Sequence, residues 1–263
     1  MGWNAEMGTV SRSFDEWRSV DRDIRAFMSL TLRWAKPGYE KIWAEARSEA
    51  AVFFDPYVHY GDEHVDLFHN KINGLWPSDH EWMLRSSVVK EAVAAFEVYL
   101  EKGVDEALRR LGLELKRAPG RPSPSWEDLV KTHALLGSEV VSERVKHIRA
   151  LRHMLVHQRG ELRTEQMRDQ FAEGQGAGPQ DFDTPEPLDH ACVGGQVRLK
   201  PETVLAVLDD LAAVVHAVDP RVWHIAWHAR RPEREELQAT LLGSQHRVRN
   251  LRVYGSAQRQ HRC

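Results

Sequence analysis

The sequence predicts an all-α fold, and two observations carry that prediction. Apolar residues recur every three or four positions along most of the chain, the repeat of one helix face. The segments with this repeat open on capping signals and close on Pro or Gly, the usual punctuation of helices. Ser13-Phe14-Asp15-Glu16 has the form of a capping box, and Trp17, Val20, Ile24, Phe27, Met28 and Leu32 follow at helical spacing. Pro37-Gly38 is expected to end this helix, and a second is expected from Tyr39 to Phe54, closed by Asp55-Pro56. Residues 57–77 are aromatic and broken by Gly61, Asn73-Gly74 and Pro77, and read as a connector with one short element at most. Ser78-Asp79-His80-Glu81 offers another box before a long helix through Met83, Leu84, Val88, Val93, Phe96 and Leu100. That helix is expected to stop near Lys102, with a shorter one after Gly103.

Ala118-Pro119-Gly120-Arg121-Pro122-Ser123-Pro124 is a break, and Ser125 with Asp128 caps a short helix ending near Gly137. Ser138 is expected to open a further helix that Gly160 closes. Residues 172–198, rich in Gly, Pro and Asp, read as a long loop, with Val193-Gly194-Gly195-Gln196-Val197 a small hairpin inside it. Pro201 starts a strongly patterned helix through Val204, Leu208, Leu211, Val215 and Val218. Asp219-Pro220 is expected to break it before a helix carrying Trp223 and Trp227. The last stretch holds Arg247, Arg249, Arg252, Arg259 and Arg262 without an acid, and reads as a basic tail. The expected organisation is an N-terminal helical region (1–77), a helical domain (78–231) and a short helix with the tail (232–263).

Composition narrows the function classes. The 263 residues are 42% hydrophobic and 29% charged, with a net charge of −3, ordinary for a globular protein and without the overall field of a polyanion binder. Cys192 and Cys263 supply neither a disulfide framework nor a CxxC metal pair. No apolar run approaches a membrane span and the N-terminus has no signal-peptide core, so the expected location is the cytoplasm, with no membrane partner. There is no Walker A loop and no dinucleotide-binding glycine pattern, and the chain calls for no cofactor.

The chemistry gathers in Ile148-Arg149-Ala150-Leu151-Arg152-His153-Met154-Leu155-Val156-His157. The apolar stripe of this helix is Val141, Val145, Ile148, Leu151 and Leu155. At about 100° per residue His153 and His157 project away from the stripe, whereas Arg152 lies within about 40° of Ile148 and borders the core. The bland reading is a helix C-terminus, whose dipole favours Arg and His. The functional reading is acid–base work on a phosphodiester. Arg152-His153-x-x-x-His157 resembles the R-polar-x3-H form of the Rx4–6H motif of HEPN domains (higher eukaryotes and prokaryotes nucleotide-binding). Residues 83–102 are similar to an early helix of that family and 201–218 to a late one, so the resemblance covers roughly residues 80–230.

What the resemblance implies is a helical bundle that cleaves RNA without a metal, works as a homodimer and serves as a toxin or anti-phage effector. It also implies an antitoxin or accessory partner. Carried over, Arg152 stabilises the added negative charge of the transition state and His157 is the acid–base group, histidine's ordinary pKa being near neutrality. His153 stands where the family often has Asn or Asp; orienting, phosphate binding and a second proton transfer are all open to it. Arg149 and Arg159 are the expected RNA-binding residues. On one ideal helix Arg152 and His157 diverge by about 140°, so a two-fold axis is expected to bring two sets together at one composite site.

Other clusters carry less. His224 and His228 have the i, i+4 spacing of a metal pair but lack an evident third ligand, and His59, His64 and His69 share neither a helix nor a strand face. No metal site is therefore expected. Trp3, Trp17, Trp34, Trp43, Trp76 and Trp82 read as core packing rather than base-stacking platforms. Two alternatives stand beside the ribonuclease: a catalytically silent HEPN-like scaffold binding a nucleotide or a protein, and a helical regulatory protein whose N-terminal aromatic helices bind a partner.

Overall fold

The structure is a computed structural model that describes residues 10–55, 61–117, 120, 123–164, 167, 171, 197–244 and 248–251. The expected loop and hairpin across 172–196, the tail beyond 251, both cysteines, His59 and Trp3 lie outside the described residues. Among the described residues the elements are α1 (Arg12–Phe53), α2 (Glu63–Lys71), α3 (Pro77–Arg110), β1 (Leu113–Leu115), α4 (Trp126–Leu135), α5 (Glu143–His157) and α6 (Pro201–Trp223). A π-helix (His224–His228), α7 (Arg231–Gly243) and β2 (Val248–Asn250) follow. The fold is all-α. Among the described residues no helix is long and apolar enough to cross a membrane.

Three expected breaks are absent, each for a physical reason. Pro37 lies inside α1. It removes one backbone hydrogen bond, but Pro37 and Gly38 face solvent, where water can serve the freed carbonyl. Beyond it Tyr39, Ile42, Trp43 and Ala46 continue the buried face against Phe68 and Ile72. That packing outweighs a local cost of about 3 kcal/mol. Gly103 lies inside α3; the buried Leu100, Val104, Ala107 and Leu108 on either side of it anchor one continuous helix. Pro220 lies inside α6, and the winding changes only afterwards, at the π-helix.

Two starts also shift. The cap of α1 is Ser11, whose Oγ accepts from Phe14 N at 3.0 Å, while Ser13 Oγ donates instead to Glu106 at 3.1 Å. α5 begins at Glu143 rather than near Ser138, because Ser142 Oγ accepts from Val145 N at 3.2 Å and caps it. Ser125 caps α4 as expected, accepting from Asp128 N.

Contacts group the chain into two compact units. One comprises Met1–Ser19, Ala95–Val145 and Leu211–Cys263. Its core joins Val104, Leu108, Leu111, Leu129, Leu136, Ile225 and Leu241. The unexpected strands β1 and β2 pair antiparallel with Leu115 opposite Val248, both buried, and Glu114 opposite Arg249, ion-paired at 2.6 Å. A buried polar knot ties the start of α1 to α6. Ser11 N and Oγ both donate to the Asp219 carboxylate, which Tyr99 Oη also approaches at 3.4 Å, and burial pushes the Tyr99 hydroxyl and the Asp219 carboxyl up.

The other unit comprises Val20–Ala94 and Lys146–Asp210. Trp43, Phe68 and Trp76 pack together in it, with rings 4.8 and 5.8 Å apart. Ile148, Leu151, Met154 and Leu155 of α5 are buried. Arg25 bridges Asp21 and Asp209 at 2.9 and 2.8 Å.

Candidate active site at the end of α5

α5 ends where its own backbone turns back. Gln158 N and Gly160 N both donate to Met154 O, at 2.9 and 3.3 Å. Arg159 and Gly160 adopt left-handed φ values of 52° and 79°, the usual way a helix C-terminus satisfies its last carbonyls. Glycine is needed at 160 for a second reason. A Cβ there would stand 2.6 Å from Trp82 Cζ2. The ring of Trp82 is held in place, because its Nε1 donates to Val197 O at 2.9 Å and Val197 N donates to Gly160 O at 2.8 Å. Arg85, ion-paired with Glu81, adds a bond to Leu199 O at 3.2 Å. The end of the motif helix is thus clamped by α3 and by residues 197–199.

On this clamped end the structure places the expected residues as follows. His153 and His157 are exposed and one helical turn apart, with ring centroids 4.5 Å from each other and planes tilted by 46°. Arg149, half-buried, stands one turn before His153 on the same face. Arg152 is half-buried, and its Nε is buried without a hydrogen-bond partner among the described residues. Arg159 is exposed just past the last turn. The helix therefore brings the two imidazoles together in solvent and leaves Arg152 on another side, at the edge of the core. The last-turn carbonyls add partial negative charge that favours the guanidinium groups there.

The clamp residues Trp82, Arg85 and Val197 were not expected to belong to the site. Trp82 read as core packing, and nothing local marks a contact that spans 115 residues. Comparison with family models, curated proteins and solved structures gives no match for this chain. What the site can do therefore rests on its geometry: two adjacent imidazoles that can take up and release a proton, with guanidinium groups beside them to hold an anion.

The remaining clusters resolve into packing and ion pairs. His224 Nε2 meets Glu233 at 3.0 Å while His228 stacks on Trp223 at 4.1 Å, so the i, i+4 pair does not converge. Beside His224, Arg221 pairs with Glu233 at 2.9 Å, and hydrogen bonds from His224, the larger effect, and from Arg221 hold that carboxyl below the usual range. His64 packs on Trp43 and His69 on Trp76, each at 5.2 Å. Among the described residues no group of three or more His, Cys, Asp and Glu is placed to hold a metal ion. A cavity of about 700 Å³ in the first unit has Val98 and Trp227 in its wall. Its charges largely neutralise one another, Lys102 with Glu16 at 2.6 Å and Arg117 with Glu101 at 2.9 Å.

Proposed function

We propose that the protein is an endoribonuclease that needs no metal, with Arg152, His153 and His157 as its working residues. The observation that supports this most is the exposed pair of touching imidazoles at a clamped helix end, with Arg149 one turn before them on the same face. In this reading the backbone phosphate of RNA lies against the end of α5, drawn by Arg149 and Arg159. His157 takes the proton from the 2′-OH, and O2′ attacks the adjacent phosphorus. The P–O5′ bond breaks, and the products are a 2′,3′-cyclic phosphate and a 5′-OH that receives its proton from water or a second acid. Arg152, on another side of α5, would stabilise the charge that develops on the phosphoryl oxygens through the composite site of two protomers that the HEPN resemblance implies.

Contact between the two rings constrains the roles. In-line displacement needs base and acid on opposite sides of the phosphorus, and two rings 4.5 Å apart lie on one side of it. His153 therefore supports and orients His157, and the acid for the leaving oxygen comes from elsewhere. The HEPN resemblance offers one source, a second protomer sharing a composite site. It also places such an enzyme among toxins and defence effectors, with an antitoxin or accessory protein as partner. The experiment is cleavage of labelled RNA in EDTA by the full chain. Cleavage with cyclic-phosphate ends, resistance of DNA, and a loss of at least about a hundredfold in a folded His157→Ala variant are expected. Full activity of that variant, or equal cleavage of DNA, overturns the assignment.

A further inference from the structure

The long helix α1 has two apolar faces and only one of them is covered. Met28, Ile42, Trp43 and Ala46 are buried or packed in the second unit. On the other side Phe27, Leu30 and Trp34 are 54%, 41% and 69% exposed. With 100° per residue, Asp23, Phe27, Leu30, Trp34, Pro37 and Lys41 all fall within about 60° of one line along the helix. A contiguous apolar strip of this kind marks an interaction surface. Its charges point to the occupant. The strip is bounded by an acid at its N-terminal end and a base at its C-terminal end, about 27 Å apart at 1.5 Å per residue. A two-fold axis across the helix near Leu32 sets Leu30 against Trp34, Phe27 against Pro37 and Asp23 against Lys41. Parallel pairing would set acid on acid and base on base.

We propose that the Phe27–Leu30–Trp34 face of α1 docks a second copy of this chain, antiparallel, with Asp23 of each copy against Lys41 of the other. Both charges are available for this. Asp23 lies 3.8 Å from its neighbour Arg22 and Lys41 3.9 Å from Glu45, and all four side chains are more than half exposed, so these contacts are weak and readily exchanged. Phe27, Leu30 and Trp34 are already partly covered, so two aromatics of about 150–250 Å² each and a leucine leave roughly 300–400 Å² per copy to bury, an interface in the weak, transient class. Association is therefore reversible and depends on concentration. The surface is independent of the nuclease reading, and its readout is mass rather than cleavage.

Sedimentation velocity of the full chain over a concentration series tests it, with circular dichroism confirming that each variant is folded. Wild type forms a dimer. Trp34→Glu, a change on solvent-exposed helix, raises the dissociation constant more than about tenfold. Asp23→Lys and Lys41→Asp each weaken the dimer about fivefold, and the double variant, which restores opposite charges, returns it to the wild-type value. Wild type that stays monomeric at every concentration overturns the proposal. So does a dimer indifferent to Trp34→Glu, or a double variant as weak as the singles.

Discussion

Replacing Gly160 by alanine strikes the clamp that sets the end of α5, and the local geometry fixes its cost. Gly160 has a φ of 79°, and an L-residue held there costs about 1 kcal/mol. The new Cβ would stand 2.6 Å from Trp82 Cζ2 and 3.5 Å from Val197 Cγ1. The ring cannot retreat freely, because Trp82 Nε1 is bonded to Val197 O, and Val197 N in turn to Gly160 O. Relieving the overlap means losing a hydrogen bond worth about 1 kcal/mol or repacking the ring at about 1–3 kcal/mol. The expected total is about 3 kcal/mol. Gly112 supplies the control, since its φ is 70° and nothing lies within 4 Å of a Cβ there; Gly112→Ala should cost only the backbone part, about 1 kcal/mol. Urea denaturation followed by circular dichroism measures both. Trp82→Leu in the Gly160→Ala background should recover about 1 kcal/mol through non-additivity. If Gly160→Ala costs no more than Gly112→Ala, the clamp does not hold the helix end as argued.

The fully buried His133 gives a pH signature. Burial pushes its pKa down to about 4 from the ordinary 6.5, and Nε2 donates to Leu100 O at 3.1 Å. A depressed folded pKa means the unfolded chain takes up the proton first. This contribution is therefore complete above pH 6.5 and lost as pH falls toward 4, about 3 kcal/mol in all. His133→Gln should flatten denaturation midpoints across that window, and an unchanged slope would count against it. Truncation after Ser244 removes β2, whose Val248 is buried and whose neighbour Leu251 donates to Gly112 O at 2.8 Å. Uncovering Leu113 and Leu115 with it should cost about 2–4 kcal/mol, read as a lower thermal midpoint; a midpoint equal to the full chain's would show that the strand pair contributes nothing.

Much of the secondary structure was legible in the sequence, because a helix is written in local periodicity. The stripes Val204-Leu208-Leu211-Val215-Val218 and Ile148-Leu151-Leu155 are buried on their helices, and Ser125 and Gly160 end or begin helices where their chemistry requires. His153 and His157 could be placed off the core by angle alone. What the sequence could not decide was whether a local penalty is enforced. Pro37, Gly103 and Pro220 are helix breakers by propensity, yet each lies inside a helix. The outcome depends on apolar partners from distant segments, such as Phe68 and Ile72 beneath the C-terminal half of α1. The pairing of β1 with β2 is likewise invisible locally, because neither three-residue segment has a period long enough to read. The chain alone thus determined an all-α protein with two histidines and an arginine at one helix end. Tertiary structure decided where the helices stop, what clamps that end and which apolar face of α1 stays bare. These depend on contacts between residues far apart in sequence, and such contacts outweigh local preferences of a few kcal/mol.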